Sequence, residues 1–300
     1  MTDIARRGQA HILATLSLVL VVLAACATAQ APEGVDEHFS SEPLPGKVIW
    51  HDLVTEDIAG AQQFYAGLFG WKFHDSSSTR GGEYLVATMG DKIVAGLVPY
   101  DAPNDGENYS RWLPYISVAD VDASVSRGIA AGATVAASAR NVGLGRVAAI
   151  IDPQGAVIGL ARSSIGDPDD IVTAAAPGRP VWTELLADDP AAAADFYSLM
   201  ANYDARTIER SGGEYTVLAS SGNDRAGIFQ NPAEGDYSPV WITAFGVDDP
   251  AAAAAKVESL GGTILLPVSP ELRDGTTAVV TDPTGAILLL QSWSRSGAES

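Results

Sequence analysis

The sequence predicts an α+β protein that consists of two tandem domains, each built from two βαβββ modules. The first observation behind this prediction is an internal repeat, because segments of the first half recur 129–132 residues later. The second is the order of apolar periodicities, in which one strand-like run, one helical run and three strand-like runs follow each other four times. The third is an Asp-Pro-x-Gly-Ala turn near the end of each half, at Asp152 and Asp282, which favours a tight hairpin.

The repeat is carried by aromatic and acidic positions that match pairwise between the two halves. The matching positions are Trp50 and Trp182, Phe64-Tyr65 and Phe196-Tyr197, Tyr84 and Tyr215, Trp112 and Trp241, and Asp152 and Asp282. In the first half the predicted elements are 48–54, 57–69 (helix), 71–75, 83–89 and 92–98, and then 112–118, 120–131 (helix), 133–137, 145–151 and 156–162.

Composition and charge exclude several classes of protein. The 300 residues suffice for two ordinary domains, and the hydrophobic share of 47% suffices for two cores. Acidic residues number 37 against 18 basic ones, a net charge of −19, which argues against nucleic acid as the main partner. The single cysteine excludes an intramolecular disulfide and a zinc site built from several thiolates.

The first 25 residues have the pattern of a secretory signal peptide. Arg6 and Arg7 precede an apolar stretch over residues 12–25, which is shorter than the ~20 residues that a transmembrane helix needs. The stretch ends in Leu-Ala-Ala-Cys26, which resembles the lipobox of bacterial lipoproteins, where the cysteine is acylated and becomes the new N-terminus. We therefore predict an exported lipoprotein that is anchored through Cys26 and faces the periplasm or the cell exterior. The alternative is an ordinary signal peptide that is cleaved near Ala29.

Two polar segments separate the folded parts of the chain. Residues 26–46 carry three prolines and few large apolar groups, which is typical of a flexible tether, and residues 163–179 have the composition of a linker. The predicted boundaries are 1–25 for the signal peptide, 26–46 for the acylated cysteine and tether, 47–162 for domain 1, 163–179 for the linker, 180–293 for domain 2 and 294–300 for a tail.

The repeated motifs resemble those of the vicinal oxygen chelate superfamily, which includes glyoxalase I, bleomycin-resistance proteins and extradiol dioxygenases. The resemblance rests on an Asp-led helix that ends in Phe-Tyr near Leu-Phe-Gly-Trp, here from Asp57 to Trp71, and on the late Asp-Pro-x-Gly turn. It covers residues 48–162 and 180–292. It implies two glyoxalase/bleomycin-resistance-like domains, in which paired modules form a curved open sheet around a cavity. It also implies that domains pair side by side, and two arrangements stay open: the two domains pack as a pseudo-dimer, or they dimerise further between chains.

The same resemblance implies a divalent metal that His, Glu or Gln holds on the first and last strands of a module. Here the pattern positions carry Trp50, Gly159, Trp182 and Leu289, and none of these side chains is a metal ligand. We therefore expect neither the usual metal nor another cofactor. A divalent metal at an atypical site stays open, because a β-bulge would let His51 turn towards Asp52, whereas in a regular strand the two point to opposite faces.

Asp52 and Glu184 are the candidate polar groups of a ligand site, since they occupy equivalent positions beside equivalent tryptophans. A buried carboxylate next to an indole can orient a cationic or hydrogen-bonding ligand, or act as a general base. The alternative is a purely structural carboxylate that is hydrogen-bonded to the indole N–H. Aromatic residues at further equivalent positions are candidate walls of the cavity. The predicted ligand-binding residues are Trp50, Asp52, Tyr84, Trp112, Trp182, Glu184, Tyr215 and Trp241.

Three hypotheses for the function follow. The leading one is a lipid-anchored extracytoplasmic protein that binds or sequesters a small molecule. The second is a glyoxalase- or dioxygenase-type enzyme (a lyase, isomerase or oxygenase) with an atypical site around Asp52 and Glu184, although no catalytic residue is assigned. The third is a structural or interaction lipoprotein whose tryptophans fill the cavities. Fold alone does not decide among them.

Overall fold

A computed structural model describes residues 40, 42–76, 84–101, 108–143, 145–168, 170, 177–210, 213–232 and 238–292. These residues form two eight-stranded sheets, four α-helices and two short 3-10 turns. Cys26, the predicted signal peptide and the predicted tail lie outside the described residues, and so does most of the tether. No helix within the described ranges is long and apolar enough to cross a membrane.

Sheet 1 belongs to domain 1 and contains two modules joined side by side. Its strands are β1 (Val48–Thr55), β2 (Lys72–Asp75), β3 (Leu85–Met89), β4 (Lys92–Pro99), β5 (Arg111–Ser117), β6 (Thr134–Val142), β7 (Gly145–Ile151) and β8 (Val157–Ser163). Their order is β2-β3-β4-β1-β5-β8-β7-β6, with β1 and β5 paired antiparallel at the centre. Strand β6 extends past the predicted end at residue 137, because two register shifts let it continue as an edge strand.

Sheet 2 repeats this topology in domain 2. Its strands are β9 (Pro180–Ala187), β10 (Asp204–Arg210), β11 (Gly213–Ser220), β12 (Asn223–Gln230), β13 (Val240–Val247), β14 (Thr263–Leu266), β15 (Thr277–Thr281) and β16 (Ile287–Ser292). Their order is β10-β11-β12-β9-β13-β16-β15-β14, which matches sheet 1 strand for strand. Both sheets are open and curved, so the predicted fold class is confirmed.

Each module contributes one helix, and an aspartate starts each of them. The helices are α1 (Ile58–Phe69), α2 (Val121–Ala130), α3 (Pro190–Ala201) and α4 (Pro250–Val257). The N-cap side chains of Asp57, Asp120, Asp189 and Asp249 accept hydrogen bonds from backbone N–H groups of the first turn, which otherwise lack partners. Gly70 ends α1 in the left-handed conformation at φ 75°, which glycine adopts without steric cost.

The helix-covered faces of the two sheets pack against each other in two shared cores. One core joins buried residues between 116 and 160 of domain 1 with residues between 185 and 241 of domain 2, and α2 contacts α3 there. The other joins residues between 53 and 112 with residues between 245 and 290, and α1 contacts α4. The first module of the chain therefore shares its core with the fourth module, and the second module with the third.

The opposite face of each sheet carries a separate, smaller set of buried residues, and we call it the site face. On sheet 1 this set includes Val54, Tyr84 and Tyr115, and on sheet 2 it includes Ile242 and Leu289. Because strand side chains alternate, Trp50 and Asp52 of β1 share the site face with Val54, while His51 points to the other side.

The last residues of the predicted tether are fixed to the seam between the domains. The backbone N–H of Leu44 donates to Asp167 Oδ2 at 2.6 Å, and the Ser117 hydroxyl donates to the same oxygen at 2.5 Å. The Tyr203 hydroxyl of domain 2 donates to the carbonyl oxygen of Gly46 at 2.5 Å. Residues 44–46 therefore contact the linker, domain 1 and domain 2 at once.

Candidate functional site

The candidate site of domain 1 centres on Asp52, whose side chain is fully buried in the middle of sheet 1. The indole Nε1–H of Trp50 donates to Asp52 Oδ1 at 2.7 Å, and the Tyr84 hydroxyl donates to the same oxygen at 2.9 Å. Gly96 lies opposite Asp52 on β4, and a Cβ atom there would overlap both the Tyr84 hydroxyl and the carboxylate. Only glycine at this position lets the three side chains meet.

Aromatic rings share the site face of sheet 1 with this carboxylate. Tyr115 lies directly against the backbone of Gly159, and the rings of Tyr100 and Tyr109 contact each other with 5.5 Å between their centroids. The Arg111 guanidinium lies on the same strand face, and burial is the main cause that lowers its pKa. The site face of sheet 1 thus combines one buried acid with an aromatic wall.

The candidate site of domain 2 has a tryptophan, a carboxylate and a tyrosine at the equivalent positions, but its hydrogen bonds connect them differently. The Trp182 indole N–H donates to the Tyr215 hydroxyl at 2.7 Å, and this hydroxyl donates to Glu184 Oε1 at 2.6 Å. Burial of the phenol, followed by the nearby Glu184 charge, raises the Tyr215 pKa far above its ordinary value. The tyrosine therefore stays neutral, and its hydroxyl links the indole N–H to the carboxylate through two consecutive hydrogen bonds.

An arginine that the sequence reasoning did not single out completes this second site. Arg273 Nη2 forms an ion pair with Glu184 Oε2, and its Nη1 donates to Gln291 Oε1 at 3.1 Å. Glu184 is almost completely buried, with 3% of its side chain exposed, whereas 22% of the Arg273 side chain is exposed. The guanidinium therefore lies nearer to solvent than the carboxylate it pairs with.

Trp112 and Trp241 lie elsewhere, on the helix-covered faces, so their predicted place on a cavity wall has to be corrected. The Trp112 indole donates to Tyr65 OH at 3.1 Å, and this hydroxyl donates to Asp282 Oδ2 of the other domain at 3.2 Å. Trp241 forms the equivalent chain through Tyr197 to Asp152, with distances of 2.9 and 2.8 Å. Strand alternation is the reason, since on β5 Leu113 and Tyr115 face the site and Trp112 faces the helices.

His51 lies at the seam between the domains and does not approach Asp52. Its Nε2 lies 3.1 Å from the Oγ1 of Thr183, which is the equivalent residue of domain 2. Burial lowers the His51 pKa to about 3, because the charged imidazolium would lose its hydration there. The side chain is therefore neutral at pH 7 and has a structural position between the sheets.

Comparison with protein families identifies the chain. Residues 179–289 match the model of the Glyoxalase/Bleomycin resistance protein/Dioxygenase superfamily, and residues 49–161 match that of a glyoxalase-like domain. The chain belongs to this superfamily. The two matched ranges coincide with sheets 1 and 2, so both halves of the repeat are superfamily domains.

The alignments with two relatives cover 81–82% of the chain. The chain is 34% identical over 250 residues to the "Putative glyoxylase CFP32" of Mycobacterium tuberculosis, covering 82% of this chain and 95% of that protein. It is 30% identical over 254 residues to the "Anthracycline biosynthesis protein DnrV" of Streptomyces peucetius, covering 81% and 91% of the two chains. Both relatives therefore extend across the two domains.

Solved structures with this fold include a Mn(II)-bound glyoxalase and a dioxygenase. The Mn(II)-bound glyoxalase from Novosphingobium aromaticivorans superposes with a TM-score of 0.56 at 14% identity, covering 84% of this chain and 83% of that one. The 2,3-dioxygenase LapB from Pseudomonas sp. KL28 superposes with a TM-score of 0.56 at 12% identity, covering 83% and 93%. At this level of identity the similarity establishes the shared fold.

At the last-strand positions where the family resemblance implies a metal ligand, neither domain carries a ligand side chain. In domain 1 the last-strand position is Gly159, and the Tyr115 ring fills the space in which a longer side chain would lie. In domain 2 the corresponding pair is Ala244 and Leu289, two apolar residues. Across the described part of the chain, no three His, Cys, Asp or Glu side chains come together as a metal site requires.

The structure brings six of the eight predicted ligand-binding residues together in two clusters. Trp50, Asp52 and Tyr84 form the first, and Trp182, Glu184 and Tyr215 form the second. Arg273 was missed because it comes from the connection between β14 and β15. Its counterpart, the connection between β6 and β7, is the much shorter segment after Val142. In the sequence this stretch is only one residue longer than in domain 1 (263–282 against 134–152), because β14 is shorter than β6, so its length gave no signal for Arg273.

Proposed function

We propose that the protein binds a small molecule on the site face of sheet 1, with Asp52 as the polar anchor of the ligand. The observation that carries this proposal is the fully buried carboxylate between the Trp50 indole and the Tyr84 phenol. A carboxylate is expensive to bury, and these two hydrogen bonds fix its position at the centre of the site face. A ligand that brings a positive charge or further hydrogen-bond donors would interact favourably with this carboxylate.

The surrounding residues define the class of ligand. Aromatic rings favour a flat or apolar body, and a carboxylate among aromatic rings favours an organic cation. We therefore infer a ligand with an aromatic body and an ammonium or another hydrogen-bond-donating group. Binding of this kind, without turnover, would sequester a harmful compound.

The matched pair of carboxylates allows a direct test. We would titrate the purified protein with an aromatic quaternary ammonium probe, benzyltrimethylammonium, by calorimetry, and compare Asp52→Asn with Glu184→Gln. Losing the charge of the anchor is expected to weaken binding about tenfold in Asp52→Asn, whereas Glu184→Gln should keep the wild-type affinity. Equal affinity in all three proteins, or no saturable heat at all, would contradict the proposal.

A second candidate function is catalysis of a glyoxalase- or dioxygenase-type reaction at an atypical site. It is favoured by the relative that is named a putative glyoxylase, at 34% identity over most of the chain. Asp52 would then serve as a general base, since its carboxylate can accept a proton from a bound substrate. Turnover in a glyoxalase or ring-cleavage assay that is lost in Asp52→Asn, while the variant remains folded, would favour this function over binding alone.

We also propose that the chain is exported and anchored to a membrane through acylated Cys26. The support comes from the apolar stretch before this residue and from its being the single cysteine of the chain. Two or more acyl chains anchor stably where one does not. Mass spectrometry of the mature protein should show an acylated N-terminal cysteine, and Cys26→Ser should lose the modification. A mature N-terminus at another residue would contradict this proposal.

A further inference from the structure

The site face of sheet 2 carries positively charged and hydrogen-bonding groups that the proposed function of sheet 1 does not use. We propose that domain 2 has a second ligand site, which binds an organic anion with a carboxylate group through Arg273. The ligand class is thus opposite in charge to that of domain 1. This site does not depend on the one at Asp52, and each can be tested without the other.

The first support is the position of the Arg273 guanidinium. One of its nitrogens faces inward to Glu184, another donates to Gln291, and the side chain is the more exposed member of the ion pair. A guanidinium has five N–H donors, so two described hydrogen bonds leave further donors for a ligand. A carboxylate accepts two parallel hydrogen bonds from such a group with good geometry.

The second support is the backbone that presents this side chain. Arg273, Asp274 and Gly275 follow each other in the left-handed region, at φ 51°, 54° and 77°. For the two residues that are not glycine this conformation is strained, and strained backbone is concentrated at binding sites. The ion pair with Glu184 and the hydrogen bond to Gln291 hold the strained turn over the sheet.

The third support is a buried hydroxyl whose bonding capacity is unused. Thr277 lies opposite Gln291 in the pairing of β15 and β16, so both side chains share the site face. Thr277 Oγ1 is buried, and among the described residues it has no hydrogen-bond partner. Buried polar groups are nearly always satisfied, so an oxygen-bearing ligand beside Gln291 would explain this hydroxyl.

The remaining surface determines what the anion carries besides its charge. Ile242, Ala244 and Leu289 provide an aliphatic floor, and the partly exposed Trp182 indole stands beside them. A second cation, the Arg210 guanidinium, lies 4.0 Å from the centroid of the Tyr215 ring. An aromatic or aliphatic carboxylate suits this combination of two arginines, one indole and apolar side chains.

The test uses the full chain and two probes of nearly equal shape. We would titrate 2-naphthoate and its neutral analogue 2-naphthamide into the wild type, Arg273→Met, Arg273→Lys and the matched control Arg206→Met by calorimetry. Arg206 lies on β10 and pairs with Asp224 at the exposed edge of the same sheet. Naphthoate should bind with saturation and about tenfold more tightly than naphthamide.

The variants separate a specific site from general electrostatic attraction. Arg273→Met should weaken naphthoate binding at least about tenfold, Arg273→Lys should weaken it less, and Arg206→Met should change it less than about twofold. Equal weakening by Arg206→Met, or unchanged binding in Arg273→Met and Arg273→Lys, would overturn the proposal. So would equal affinity for the two probes, or no saturable binding of naphthoate. If Arg273→Met does not fold, the proposal is tested by the weaker binding of naphthoate to Arg273→Lys and by the difference in affinity between naphthoate and naphthamide.

Discussion

Domain 1 and domain 2 place a carboxylate at the same point of the same sheet, beside the same tryptophan and tyrosine, but connect these groups differently. In domain 1 the indole and the phenol both donate to Asp52. In domain 2 the indole donates to the phenol, the phenol donates to Glu184, and Arg273 takes the second carboxylate oxygen. A carboxylate that is one methylene longer, together with an arginine from the turn before β15, gives domain 2 an ion pair at the position where the indole and the phenol both donate in domain 1.

The pair of residues beside each site tryptophan also exchanges size between the domains. In domain 1 the large Tyr115 on β5 lies against Gly159 on β8, whereas in domain 2 Ala244 on β13 lies beside Leu289 on β16. The volume is conserved while the chemistry changes from aromatic to aliphatic. A duplicated sheet can thus keep its packing and still present two different surfaces to ligands.

The largest expected effect separates interface tryptophans from site tryptophans. Trp112→Ala and Trp241→Ala should each lower the free energy of unfolding by about 3–5 kcal/mol, because both indoles are buried between the domains. Trp50 is partly exposed, so Trp50→Ala should cost less stability while weakening the ligand of domain 1. Urea unfolding and calorimetric titration check both effects. Weaker binding in a fully stable Trp112→Ala would place this residue at the site after all.

The next effect compares the two carboxylates. Glu184→Gln leaves the Arg273 guanidinium without its counter-charge, and it should lower the free energy of unfolding by about 2 kcal/mol. Asp52→Asn retains an oxygen that can accept from Trp50 and Tyr84, so a loss of about 1 kcal/mol is expected. Urea unfolding at constant pH measures both variants. Equal losses would mean that the ion pair of domain 2 contributes no more than the neutral hydrogen bonds of domain 1.

A pH series tests the seam, where domain 1 contributes His51 and domain 2 contributes Thr183. The folded-state pKa of His51 is lowered to about 3 from 6.5, so the unfolded chain binds the additional proton between these values. Stability from this residue is therefore present above pH 6.5 and is lost as the pH falls. Between pH 7 and pH 5 the wild type should lose about 2 kcal/mol more than His51→Gln. Parallel curves for the wild type and His51→Gln would refute the buried neutral state.

The smallest effect tests the exchange of size beside the site tryptophans. Gly159→Ala should lower the free energy of unfolding by about 1 kcal/mol, because the new Cβ overlaps the Tyr115 ring. In a Tyr115→Ala background the same substitution should cost nothing, since the ring is absent. A double-mutant cycle by urea unfolding measures this coupling. A cost that persists without the ring would assign it to the backbone of Gly159.

Much of the fold could be predicted because the sequence repeats it. Motifs such as the Asp-Pro-x-Gly-Ala turn occur twice at a constant offset, so each domain supports the assignment of the other. Strand alternation also placed Trp50 with Asp52 and placed His51 on the opposite face, as the structure shows.

The faces of the central strands and the long-range pairs could not be predicted in the same way. Strand β5 is buried on both sides, so its sequence has no polar alternation to show that Trp112 faces the helices. The pairing of Tyr65 with Asp282 joins residues more than two hundred positions apart, and Arg273 reaches Glu184 from a turn with left-handed backbone. Such contacts depend on how the domains and connections assemble, and periodicity within one element contains no information about them.

The first and last modules share one core, so the first module cannot finish folding until the last module has been synthesised. Phe64, Tyr65 and Leu68 of α1 are covered in part by residues up to Leu290, about 220 positions further along the chain. At a synthesis rate of roughly 5–20 residues per second, the ribosome needs roughly 10–40 s to supply that cover. During this interval the first module presents an aromatic surface without its partner, and this surface is prone to aggregation until the fourth module covers it. For the same reason, separating the two domains at the linker would expose both shared cores.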